Sequence, residues 1–169
     1  MALLLIVGVN VDDYYNAYEQ KAKEILNECL YMVVGTSTGD GKPWIAPVLY
    51  VYDKDYNLYF LSAVDAVHSS NIQKNPNVSI AIFDSHQKIG MSEGVQIEGK
   101  AELVEKGEIN KVIKLYCDKA FPDSDVAPTK RYKPEEYLGA SEFRFFRVKP
   151  VNIYMTGEDR HVKVQLSGK

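Results

Sequence analysis

Apolar residues recur at steps of three and four through Tyr14, Tyr18, Ala22, Ile25, Leu26 and Cys29. That is the stripe of an amphipathic helix, with Asp12 and Asp13 as its capping candidates. From Leu30 the period changes. LYMVVGTS, the polar turn at 38 to 43 and WIAPVLYVY read as two strands joined by a hairpin, and DKDYN at 53 to 57 turns the chain back into LYFLS. A polar stretch from Asp65 to Asn75 predicts one or two helical turns, with Asp65 as N-cap candidate. It stops at Asn75-Pro76 because proline disfavours a helical residue before it. NVSIAIFD at 77 to 84 and GVQIEGKAELV at 94 to 104 are further strands around a glycine-bearing loop. A second amphipathic helix carries Ile109, Val112, Ile113, Tyr116, Cys117 and Ala120. A proline-bearing connection at 121 to 134 and a short helical turn then lead to FRFFRVKPVNIYM and a last strand near HVKVQL.

About seven strands with few helices between them exclude a doubly wound parallel sheet, which needs a crossover helix between successive strands. The pattern predicts a mainly β (α+β) protein, an antiparallel barrel with helices packed outside. No repeat, low-complexity run or long linker divides residues 1–169, so one domain is expected, with 1–12 as a loose arm or an extra strand. The apolar start MALLLIVGV is too short to span a bilayer and lacks a basic segment before it.

Composition narrows the function classes. A net charge of -3 with no basic patch argues against nucleic acid and membrane partners. Cys29 and Cys117 stand far apart on apolar stripes, with no CxxC or Cys/His cluster, so neither a disulfide framework nor a zinc site is expected and a reducing cytoplasm is. His86 and His161 sit in polar surroundings without a second ligand at metal spacing. Ser-His-Asp order, a Walker loop and a Rossmann glycine fingerprint are all missing from the chain, and Gly39-Asp40-Gly41 reads as hairpin chemistry.

Four pieces in fixed order carry a resemblance: GKPWIAPVLYVYD, LYFLS, VHSSNIQKNPNVSIAIFDS and GVQIEGKAELV, with FRFFRVKP as a weaker echo. The stretch from Gly41 to Val104 resembles the pyridoxamine 5'-phosphate oxidase-like FMN-binding split barrels, particularly their small general-stress-protein-like members. The resemblance implies a split β-barrel homodimer with FMN at the subunit interface, its ring against strand backbone and its phosphate held by the turn after the third strand. On that reading Ala46, Pro47, Val48 and Leu49 line the ring, Ser62, His68 and Ser69 face the phosphate, Asn71 supports the turn, and Gln96 meets the ring edge. The implied activity is flavin-dependent redox on a small molecule, with the flavin carrying the chemistry, so no side chain is singled out as catalytic. Alternatives on the same barrel are a flavin-binding or sensing module without turnover, and a deazaflavin- or haem-binding variant.

The chemistry of this stretch is independent of the resemblance. A phosphate dianion needs several converging donors, and Ser62, His68, Ser69 and Ser70 cluster at a predicted helix start. Hydrogen bonds to a charged acceptor contribute roughly 1.5 to 3 kcal/mol each, so three or four with ring burial reach the roughly -8 kcal/mol of micromolar binding. The competing reading makes the serines and Asn71 a plain polar turn. Pyridoxamine 5'-phosphate oxidase itself carries an Arg-Lys pair where this chain has Val67-His68, which implies a looser hold on FMN and a different substrate. Arg144, Arg147 and Arg160 supply cations near the C-terminus, but the first two alternate to different strand faces. Trp44 could flank the ring or a partner subunit, whereas Tyr50, Tyr52, Tyr56 and Tyr59 read as packing residues. Gly90, Met91 and Gly94 mark the loop at 85 to 94 as either a lid or a mobile surface loop.

Overall fold

The computed structural model describes residues 10–91, 93–156 and 161–166, which leaves the apolar start and Arg160 outside the described residues. Helix α1, Val11–Glu28, buries Ala22, Ile25 and Leu26. Its cap is Asn10, whose side chain accepts from the Asp12 N–H at 3.1 Å. Asp12 and Asp13 stand instead in the first turn, where negative charge complements the helix dipole. Cys29 follows as an extended C-cap, half-buried, one step beyond the stripe on which the periodicity put it.

Among the described residues, seven strands follow the expected boundaries within a few residues: β1 Tyr31–Ser37, β2 Pro43–Tyr52, β3 Leu58–Ala63, β4 Asn77–Ile82, β5 Gly94–Leu103, β6 Phe143–Thr156 and β7 His161–Val164. All pair antiparallel in the order β3-β2-β1-β4-β5-β6-β7, and a further β3–β6 pairing closes β1 to β6 into a six-stranded barrel. One edge of β6 pairs with β3 through its first half and with β7 through its last four residues. Closure requires β6 to bend along β5, and the register shifts at Glu98/Gly99. Glycine is needed at that bulge because a Cβ on Gly99 would stand 2.6 Å from Val148 Cγ1 and 3.0 Å from the Lys149 carbonyl oxygen.

Strict alternation sends one face of each strand inward. Met32, Val34, Tyr50, Phe60, Ile80, Ile97, Phe146 and Val148 fill the barrel, and helix α2, Val67–Lys74, adds Ile72. A second core lies outside the barrel wall, where Val51, Tyr59 and Phe145 meet Val112, Ile113 and Cys117 of helix α3, Ile109–Ala120. The short helix α4, Pro128–Arg131, and a 3₁₀ turn at Pro134–Tyr137 occupy the connection into β6.

Asp53 fastens these layers. Only 4% exposed, its carboxylate accepts from Lys111 Nζ of α3 at 2.7 Å, from the Tyr59 hydroxyl at 2.9 Å and from the Asn57 and Asp55 N–H groups at 3.0 Å. Burial pushes its pKa up, but the hydrogen bonds from Lys111, Asn57 and Tyr59 outweigh that and bring it down to about 2. The same bond and burial raise the Tyr59 phenol to about 12.

Candidate functional site

Strand parity divides the residues expected along the ring. Ala46 and Val48 turn their side chains into the barrel core, so a ligand could meet them only through backbone. Pro47 and Leu49 stand on the outer face, exposed and half-buried respectively. Gln96 is also outward and exposed, in register between Ala81 and Tyr154. Of these outward positions Gln96 lines a trough of about 530 Å³ whose lining includes Val33, Gly35 and Ile45, with Ser79, Glu98, Tyr154 and His161 as further polar members. Gly35 leaves backbone bare in that lining; a Cβ there would approach Ser79 Oγ to 2.4 Å. A hollow of about 400 Å³ beneath the 84–91 loop shares Ala81 and Gln96 with the trough.

That loop is pinned at its neck. The Gln87 amide donates to the Glu93 carbonyl at 2.6 Å and accepts from the Glu93 N–H at 2.8 Å, while Lys21 of α1 reaches the Glu93 carboxylate at 3.1 Å. Its tip exposes Ile89 and Met91.

Ser62, next to last in β3, holds its hydroxyl 2.8 Å from His68 Nε2, so two of the three phosphate candidates meet. Burial lowers the His68 pKa below its ordinary value, which keeps the imidazole neutral at neutral pH. Asn71 donates to Thr36 Oγ1 of β1 at 3.1 Å and ties the α2 turn to the barrel wall, a supporting contact. Ser69 is completely buried, and its hydroxyl has no partner among the described residues. Its position behind the first turn shields it from solvent.

Asp65 does not cap α2. The chain closes a turn there, with the Ala66 N–H on the Ala63 carbonyl at 3.3 Å, and helical geometry begins at Val67 with Ala66 at the cap position. Asp65 is left exposed, and no side chain caps the helix start. The first N–H groups of α2 are therefore available to an anion without a carboxylate competing for them.

One residue of this corner stood out in the sequence only as a cation without a place. The β3–β6 register sets Arg144 directly opposite Ser62 on the same face of the sheet. Its Nη1 and Nη2 donate to the Gly139 and Val104 carbonyls at 2.5 and 3.5 Å, while its Nε is buried without a partner. No carboxylate among the described residues forms an ion pair with it. Arg147, by contrast, is consumed by Glu108, at 2.6 Å, and Glu102 on the opposite face. Nothing local marks Arg144; only the pairing of strands about 80 residues apart brings it to Ser62.

The tyrosines behave as packing residues. Tyr50 and Tyr59 are fully buried, with hydroxyls on the Leu26 carbonyl and on Asp53, and Tyr52 stacks on Tyr56. Trp44 is nearly half exposed at the start of β2. His86 is exposed beside Asp84, and His161 is exposed at the trough rim.

As a concave wall and as donor chemistry these features suit the two ends of a flavin monophosphate, although the trough and the Ser62–His68 corner share no lining residue. The trough offers a ring a wall of Val33, Gly35 and Ile45 with polar groups beside it. Ser62 and His68 offer hydrogen-bond donors at the start of α2, and Arg144, opposite Ser62 in register with its Nη groups on the Gly139 and Val104 carbonyls, carries a permanent charge with no carboxylate partner among the described residues.

Comparison with known proteins agrees with the architecture. Among solved structures, a heme binding protein from Mycobacterium smegmatis superposes with a TM-score of 0.68 at 22% identity, over 88% of this chain and 57% of that one. General stress protein 26 from Bacillus anthracis gives 0.58 at 19%, over 86% and 98%. A heme storage protein from Vibrio cholerae gives 0.61 at 20%, over 79% and 89%. Identities this low carry the fold alone, and no curated sequence matches the chain. No helix among the described residues is long and apolar enough to cross a membrane. Residues 18–157 match the model of the pyridoxamine 5'-phosphate oxidase family, and with the closed antiparallel barrel they establish that the chain belongs to it.

Proposed function

We propose that the protein binds FMN and works as a flavin-dependent oxidoreductase on a small molecule, as a homodimer with the flavin at the subunit interface. The carrying observation is the outer face of the barrel around β1, β2 and β4. A strand facing water is ordinarily polar on that face, yet here Val33 and Ile45 line an open trough floored in part by bare glycine backbone. Its volume of about 530 Å³ lies within the range of cofactor sites. The apolar surface beside it, including Tyr31 at 60% and Ile45 at 69% exposed, suits a second copy closing over a ring.

On this reading Pro47, Leu49 and Gln96 meet the ring through side chains and Ala46 and Val48 through backbone. Ser62 and His68 bind the phosphate, with Ser69 and Asn71 behind them. Bound flavin would supply hydride or electron transfer; the residues of this chain position it and exclude water. The test is purification followed by visible spectroscopy and mass measurement in solution. Flavin absorption near one per chain in a dimer is expected, with turnover of a reduced nicotinamide and an artificial acceptor separating enzyme from binder. A colourless monomer that takes up no added FMN overturns the reading.

A haem-binding reading has one observation of its own, the exposed imidazole of His161 at the trough rim beside Tyr154. A Soret band lost in His161→Ala would establish it in place of flavin.

A further inference from the structure

We infer that Arg144 is the residue that recognises the phosphate end of the ligand, supplying from β6 the cation that the start of α2 lacks. This rests on the flavin monophosphate reading and adds to it a specificity residue.

Three observations converge. First, strand register sets Arg144 opposite Ser62, and Ser62 is itself bonded to His68 in the first turn of α2. Directly opposed residues on one face stand roughly 4.5 to 5.5 Å apart at Cβ, well within reach of an arginine side chain. Second, the guanidinium is under-used. Two of its nitrogens donate to backbone carbonyls, its Nε is buried with no acceptor, and no carboxylate among the described residues neutralises it. The Nε is closed to solvent, so a phosphate would meet the Nη edge of the fork in place of the Gly139 and Val104 carbonyls, replacing neutral acceptors with a charged one.

Third, the competing cations are excluded by position. His68 is held neutral by burial. Arg147 is spent on Glu102 and Glu108, and Lys74 lies in the last turn of α2, at the far end from Ser62. What remains is a planar, permanently charged fork, the group best matched to phosphate oxygens. Arg144 therefore separates phosphorylated from unphosphorylated ligand, and does so without pH dependence across the histidine range.

The test titrates FMN and riboflavin, by quenching of flavin fluorescence, into the wild-type protein, Arg144→Gln and Arg144→Lys. FMN affinity is expected to fall tenfold or more in Arg144→Gln, to recover in part in Arg144→Lys, and to leave riboflavin affinity within about twofold throughout. Equal losses for both flavins, or no loss of FMN affinity, overturn the inference. Arg144→Lys also guards against misfolding, because a collapsed barrel would lose both ligands alike. If wild-type protein binds neither flavin, the flavin reading fails first. Thermal shift with inorganic pyrophosphate then decides: stabilisation of wild type lost in Arg144→Gln sustains the anion site, and no stabilisation of wild type overturns it.

Discussion

Asp53→Ala should destabilise the fold by roughly 3 to 5 kcal/mol at pH 7. A carboxyl brought to about 2, against an ordinary value of 3.8, stores roughly 2 kcal/mol at about 1.36 kcal/mol per pH unit. The conversion is warranted because Asp53 is only 4% exposed. Removing it also strands the Tyr59 hydroxyl inside the second core, where an unsatisfied group costs about 1 to 3 kcal/mol. Lys111 is half exposed, so its amine turns to water and adds little. For a chain of this length the sum lowers Tm by roughly 10 °C. The folded carboxyl has the lower pKa, so its contribution is complete above the unfolded value and is lost as pH falls from about 4 towards 2. Urea unfolding of both proteins at pH 7 and pH 3 checks both halves, since about half of the ionic part has gone by pH 3. A difference below about 1 kcal/mol at pH 7, or one unchanged at pH 3, would refute the assignment of Asp53 as the fastening charge.

Other perturbations test other joints. Ser69→Ala, which removes a buried unpartnered hydroxyl, should raise the stability of the ligand-free protein by about 1 kcal/mol in urea titrations, against the usual direction of a core mutation; a loss would show that Ser69 has a partner. Lys119 sits over the Tyr50 ring with its amine on the Cys29 carbonyl at 2.7 Å, and burial lowers its pKa to about 8. The unfolded chain therefore holds the proton that the folded one releases, so stability should rise between about pH 8 and 10; Lys119→Met should abolish that rise in melts across the range. Gly99→Ala should cost about 1 to 3 kcal/mol in the same assay, because the Val148 and Lys149 atoms it meets belong to a buried β-branched side chain and to backbone.

Local chemistry alone determined most of the elements. Alternation in GVQIEGKAEL fixes that strand and its inward face, because side chains on a strand alternate by geometry. The Asn75-Pro76 stop ends α2 for an equally local reason. Residues 46 to 49 of β2 could likewise be divided by parity, two inward and two outward. The cap of α2 could not be read, since Asp65 has the right chemistry and misses by one residue when the turn closes at Ala63. Long-range pairing decided the rest. That β6 joins β3 and so closes the barrel, that Lys111 finds Asp53, and that Arg144 faces Ser62 all follow from contacts between strands or helices distant in sequence. Such partners leave no periodic trace, because only packing of the whole sheet sets their register.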